Sequence, residues 1–139
     1  MKIFLDTNVL IDFILERSQF YPAAAMIVSF AVDGKIEVAV SSLSMVTANF
    51  IAVDRCKMPD EIYRKKIDFL RKYMAVCSVE DIDIYNSYDA KWKDFEDGVQ
   101  YSSAKRWRAD YIVTRNVKDF EENAIEVISP EAICASLSQ

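Results

Sequence analysis

The chain has 139 residues, 52% of them hydrophobic, with only 2 Gly and 3 Pro. That length and apolar content favour one domain with its own core and exclude a disordered, collagenous or linker-dominated chain. A net charge of −5, from 17 Lys and Arg against 22 Asp and Glu, excludes binding to nucleic acid through an overall basic field, so any such contact must be local.

The sequence contains no His, which removes the side chain whose ordinary pKa lies nearest neutrality, and with it Ser-His-Asp and Cys-His chemistry. Cys56, Cys77 and Cys134 are odd in number and show no C-x-x-C spacing. They predict neither a disulfide framework nor a zinc site and read as reduced core thiols. No apolar run approaches the roughly 20 residues that span a membrane, and no basic segment leads into a signal-type core. The expected compartment is the cytoplasm.

Lys2–Leu5 is a short apolar run halted by Asp6-Thr7-Asn8, which predicts a buried first strand. Val9, Leu10, Phe13 and Ile14 then recur at helical spacing, and a second helix is predicted from about Pro22 to Val32, closed at Asp33-Gly34. Ile36–Val40 reads as the next strand and Leu43–Ala52 as a helix. Pro59-Asp60-Glu61 opens another, with Tyr63, Ile67, Leu70 and Met74 on one face. Ala75–Val79 is a third strand, followed by helices at Ile82–Trp92 and Phe95–Trp107, the latter capped by Asp94. Tyr111–Val113 and Ile125–Ile128 complete the strands, and Ser129-Pro130-Glu131 starts a last helix. Short apolar strands alternating with helices predict a three-layer α/β/α domain over residues 1–139, with a central parallel sheet of about five strands.

In such a sheet ligands bind beyond the carboxyl ends of the strands, near the point where strand order reverses. Asp6 follows the first strand directly, and Thr114 and Asn116 follow the fourth. Asp94-Phe95-Glu96-Asp97 begins a helix leading into that fourth strand, and Asp119 lies three residues past Asn116. Carboxylates clustered without His or Cys suit a hard, oxygen-preferring cation, Mg²⁺ or Mn²⁺. Such ions can activate water for attack on a phosphodiester, which needs no histidine.

Three stretches carry a family resemblance: Ile3-Phe4-Leu5-Asp6-Thr7-Asn8-Val9-Leu10-Ile11-Asp12, Asp94-Phe95-Glu96-Asp97, and Ala109 to Phe120 with its Thr114-Arg115-Asn116-x-x-Asp119-Phe120 core. With these motifs the chain resembles the PIN-domain nucleases, which include the toxins of VapBC-type toxin–antitoxin pairs. The resemblance implies a divalent-metal-dependent endoribonuclease in which Asp6 and Asp97 bind metal. Asn116 takes the fourth acidic position, with Asp119 as the nearby acid, and Thr114 and Asn8 support the site. It implies an RNA substrate and a small antitoxin-like protein partner, and a homodimer fits the same reading. The family's second acid lies about six residues after the serine that ends strand two; counted from Ser41, that position is Thr47. A hydroxyl is a weaker ligand than a carboxylate, so fewer ions or weaker binding is expected, with Glu96, Asp94 or Asp12 as compensating acids.

Each of these residues also has a plainer reading. Asp6 and Asp94 can simply cap helices, Asp97 can complement a helix dipole, Asn116 and Asp119 can build a turn, and Thr47 can be an ordinary helix residue. Lys91, Lys93, Lys105, Arg106, Arg108 and Arg115 flank the acidic motifs as RNA-contact candidates, with Lys93, Lys105 and Arg115 foremost. Trp92, Tyr101 and Trp107 could stack on bases or simply pack. Two other functions compete: a PIN-like binding module without catalysis, and a haloacid-dehalogenase-like phosphatase, whose required second Asp is Asn8 here.

Overall fold

β1 (Lys2–Leu5), β2 (Glu37–Ser41), β3 (Met74–Cys77), β4 (Tyr111–Val113) and β5 (Glu126–Ile128) form one sheet in the order β3-β2-β1-β4-β5. Every neighbouring pair is parallel. The computed structural model describes residues 1–122 and 124–139. Among the described residues the strands are connected by α1 (Thr7–Leu15), α2 (Tyr21–Val32), α3 (Ser42–Asn49), α4 (Asp60–Tyr73), α5 (Asp81–Asp89) and α6 (Phe95–Trp107), and α7 (Pro130–Leu137) follows β5.

The three layers follow from strand periodicity, since successive side chains point to opposite faces. Ile3, Leu5, Val38, Val40 and Val113 pack with Leu10 and Ile14 of α1, Ile27 of α2, Leu70 of α4 and Ile133 of α7. Phe4, Ala39 and Ile112, one position out of phase, pack with Tyr101 and Ala104 of α6 and with Trp92, Phe120 and Ile125. Phe4 is wholly buried, and truncating such a residue to Ala costs about 3–5 kcal/mol.

The predicted elements all form, with some ends displaced for identifiable reasons. The third strand stops at Cys77, not Val79, because the Val79 amide turns to the Ser42 hydroxyl (3.0 Å) and Glu80 with Asp83 builds a capping box that starts α5. That helix ends at Asp89, short of Trp92, and Lys91 takes a left-handed turn at φ 57°. α3 ends at Asn49 and continues as a π-helical turn over Phe50–Arg55. Gly34 sits at φ 72° just past α2, the conformation its position required. The thiols are corrected in part: all three are free, but only Cys134 is buried, while Cys77 is half-buried and Cys56 exposed. Among the described residues no helix is long and apolar enough to cross a membrane.

After β3 the chain crosses back to place β4 on the other side of β1, so strand order reverses between β1 and β4. The residues that leave these two strands, Asp6 and Thr114, therefore meet at the crevice where such sheets bind ligands.

Candidate active site

Asp6 lies at the carboxyl end of β1 and is also the N-cap of α1, its Oδ1 accepting from the Thr7 amide at 2.8 Å. Its Oδ2 accepts from the Thr114 hydroxyl at 2.8 Å, across the switch point. Thr114 is wholly buried and its oxygen in turn accepts from the Asn116 amide (3.0 Å) and the Asn8 side chain (3.3 Å). Asn8 closes the ring by accepting from the Arg115 amide at 3.3 Å. The Asp-Thr-Asn and Thr-Arg-Asn motifs are thus two halves of one hydrogen-bonded frame.

Beneath Asp6 lies a polar bed that sequence reasoning did not assign. Gln100, wholly buried on α6, donates from Nε2 to Ser44 Oγ (2.7 Å), Thr7 Oγ1 (2.9 Å) and Asp6 Oδ1 (3.5 Å). Ser44 and Thr7 are 2.7 Å apart, and Ser41 caps α3 through the Ser44 amide. The Gln100 Oε1 has no hydrogen-bond partner among the described residues. The signal in the sequence was a Gln three residues after Asp97, on the same side of α6.

α6 brings the second set of acids. Asp94 caps it, accepting from the Asp97 amide at 3.1 Å, and Glu96 and Asp97 fill its first turn. Asp6, Asp94, Glu96, Asp97, Asn8, Asn116, Thr47 and Arg17 line one open cleft of about 270 Å³. Asp97 therefore faces the same space as Asp6 and Asn116, and Thr47, from α3, reaches it too. Among the described residues none of Asp6, Asp94, Glu96 or Asp97 forms an ion pair.

This uncompensated charge shows in the protonation equilibria. Loss of hydration, then the charges of Asp6, Asp94, Asp119 and Glu96, push the Asp97 carboxyl up to about 7. Glu96 is raised by the same loss of hydration and by Asp6. Asp6 is raised by burial against the pull of its Thr114, Thr7 and Gln100 hydrogen bonds.

Six expected residues are placed elsewhere. Asp119 lies outside the cleft, in a neighbouring depression with Lys93, Asp94, Lys118 and Glu121, and acts on Asp97 only through its charge. The Arg115 guanidinium is engaged: it grips buried Asp12 at 2.7 and 3.3 Å and lies 3.9 Å over the Phe20 ring. That pairing also removes Asp12 from the set of compensating acids. Lys105 lines a separate cavity of about 410 Å³ on another face of α6, with Trp92 and Tyr101. Both of those rings are buried and pack against each other at 5.5 Å, outside the carboxylate cleft.

Among the described residues no three carboxylates converge tightly enough to hold an ion between them. The donor set still fits a hard cation: it is all oxygen, and Mg²⁺ is commonly held by one or two carboxylates, with water and substrate phosphate completing its shell. Four acids, Asp6, Asp94, Glu96 and Asp97, line the cleft, with Asn116 and Thr47 beside them.

A model of the family described as "PIN domain" matches residues 2–118. The chain is 26% identical over 136 residues to Ribonuclease VapC1 of Aquifex aeolicus, covering 96% of this chain and 93% of that protein. Its fold is similar to a chain of a toxin–antitoxin complex from Klebsiella pneumoniae, with a TM-score of 0.64, 20% identity and coverage of 92% and 97%. A chain of VapBC2 from Rickettsia felis, solved with a DNA fragment of its promoter, also gives 0.64, at 17% identity and the same coverage. With a match that spans most of its length, on motifs that the fold joins into one cleft, the chain belongs to the PIN-domain family.

Proposed function

We propose that this protein is a divalent-cation-dependent endoribonuclease of toxin type, held in check by a small antitoxin-like protein. The observation that carries the reading is the cleft itself: Asp6, Glu96 and Asp97 share one opening at the switch point, and among the described residues no cation is paired to any of them. Holding like charges together costs stability, and a bound divalent ion removes that cost. The likeness to Ribonuclease VapC1, along nearly the whole of both chains, supports RNA as the substrate. The likeness to toxin–antitoxin complexes supports the protein partner.

Asp6 and Asp97 would hold Mg²⁺ or Mn²⁺, which when bound lowers the pKa of water and offsets charge developing on a scissile phosphate. The Thr114 hydroxyl and the Gln100 amide fix the Asp6 carboxylate, and Asp94 fixes the first turn of α6 that carries Asp97. An attacking water must lose a proton, and Glu96, raised by desolvation and by Asp6, is the acceptor the chain offers.

A second reading, an RNA-binding module without catalysis, draws on one observation: Thr47 stands at the cleft where the family's second acid is expected. The phosphatase alternative lacks its acid, because Asn8 donates an amide hydrogen to Thr114 instead. Incubating the purified protein with RNA in Mg²⁺, Mn²⁺ or EDTA separates the readings. Cleavage that requires the ion and disappears in Asp6→Asn supports the nuclease; binding without ion-dependent cleavage supports the module.

A further inference from the structure

Among the described residues, Arg17 is the one cationic side chain lining the carboxylate cleft. It follows the C-terminus of α1, where Glu16 adopts φ 51° and the Arg17 amide donates to the Asp12 carbonyl at 3.1 Å. Its own carbonyl accepts from the Phe20 and Tyr21 amides at 3.0 and 2.7 Å, so the backbone that presents the side chain is held on both sides.

The charges around it do not balance. Asp12 is already gripped by the Arg115 fork at 2.7 and 3.3 Å, and Glu16 is paired with Lys66 at 2.8 Å. Arg17 reaches Asp12 through one nitrogen at 3.4 Å, with its side chain 37% exposed. Asp12, Glu16, Lys66, Arg115 and Arg17 together carry two negative and three positive charges, leaving one positive charge at the cleft. An arginine needed only to neutralise Asp12 would be redundant here.

We infer that Arg17 is a phosphate-binding residue that grips the RNA backbone at the end of the cleft remote from Asp6. The inference rests on the ribonuclease reading. The Arg17 guanidinium lies against Asp12 at 3.4 Å, six positions along α1 from Asp6, at a rise of about 1.5 Å per residue. The phosphate Arg17 meets is therefore a neighbour of the one at Asp6 and Asp97, not the scissile one. Ile11 and Ile51 line the same cleft and offer an apolar surface on which a ribose or base can rest. Arg17 thus supplies the local positive charge that a chain of net charge −5 needs to hold a polyanion against its own acids.

The test uses a fluorescein-labelled ten-nucleotide single-stranded RNA of mixed sequence, in Mg²⁺, with cleavage silenced by Asp97→Asn in every protein. Binding is measured from 50 to 300 mM KCl, which reads the number of phosphates neutralised: each contact contributes about 0.7 to the slope of log K against log salt for single strands. Adding Arg17→Gln is expected to lower that slope by about 0.7, Arg17→Lys to retain it, and Lys72→Ala, an exposed change on α4, to leave it unaltered. Melting curves confirm that each variant is folded, and Arg17→Ala, expected to lower the slope by about 0.7 as well, keeps the proposal falsifiable if Arg17→Gln does not fold. A purely structural Arg17 would leave the slope unchanged in all variants and overturn the inference while ion-dependent cleavage by the wild-type protein still stood. An equal loss of slope in Lys72→Ala would show diffuse attraction and overturn it as well. Absence of RNA binding by the Asp97→Asn parent together with absence of cleavage by the wild-type protein would overturn both the inference and the nuclease reading.

Discussion

Asp83 and Asp97 are both buried acids near α6, and the fold treats them in opposite ways. Asp83, 0% exposed, accepts from Ser102 (2.7 Å), the Glu80 amide (2.9 Å) and two nitrogens of Arg106 (2.9 and 2.7 Å). Burial pushes its pKa up, but those hydrogen bonds and the Arg106 charge overcome it and hold the carboxyl below the usual range. Asp97, 9% exposed, faces other acids and is pushed up to about 7. A carboxylate that ties α5 to α6 receives its cation from the chain; one that opens on the cleft is left without one. The difference marks where a ligand is expected to supply the missing charge.

The largest effect expected is on cleavage. If Asp6 holds the ion as proposed, Asp6→Asn should lower RNA cleavage by more than the roughly 10–100-fold typical of groups that only support a metal site, measured as kcat/KM on a fixed RNA. The same comparison is broken from the other side by Arg106→Met, which strands Asp83 as a buried charge. Loss of one partner of a buried pair costs about 3–5 kcal/mol, here nearer the lower figure because Arg106 is 35% exposed. Chemical denaturation should show that loss, and a neutral result would mean Asp83 is not a structural pair.

Thr47→Glu sharpens the comparison by adding charge to the cleft. Two unit charges about 4 Å apart in a water-like medium interact by about 1 kcal/mol, so a carboxylate beside a divalent ion should tighten Mn²⁺ binding by about tenfold or more. Calorimetry at matched pH and salt measures it, and unchanged affinity would remove Thr47 from the ion's surroundings.

The smallest effect is on stability and pH. A carboxyl whose pKa is raised by folding binds an extra proton in the native state between its ordinary value of 3.8 and about 7. Metal-free stability should therefore fall as pH rises through that window. Asp97→Asn should flatten the profile and raise the melting temperature at pH 7 by no more than about 4 °C. Asp83, with its pKa lowered, contributes the opposite slope, lost only as pH drops below the ordinary carboxylate range.

The sheet was legible because its signal is local: short apolar runs bounded by polar turns, such as Lys2–Leu5 before Asp6, read as strands on periodicity alone. Element ends were less so, since the stop at Cys77 depends on the Ser42 hydroxyl 37 positions away. The gathering of Asp6, Asp97 and Asn116 at one edge followed from strand order, which chain order suggested. What pairs with what could not follow. Arg115 and Lys105 sit beside acidic motifs in sequence, but Asp12 and Phe20 hold the first, and helical rotation turns the second to another face. Arg17 and Gln100 were passed over for the converse reason: a single Arg after a helix, or a Gln within one, has no pattern until packing shows what surrounds it.

If a divalent ion completes the uncompensated cleft acids, its binding must displace protons from them. Mn²⁺ titration at pH 7 in two buffers of different ionisation enthalpy tests it most directly, because it counts protons as well as ions. With Asp97 titrating at about 7, binding should displace about half a proton per site from the wild-type protein, and Asp97→Asn should bind more weakly and release none from that position. Binding without proton release, or equal affinity in Asp97→Asn, would contradict the account.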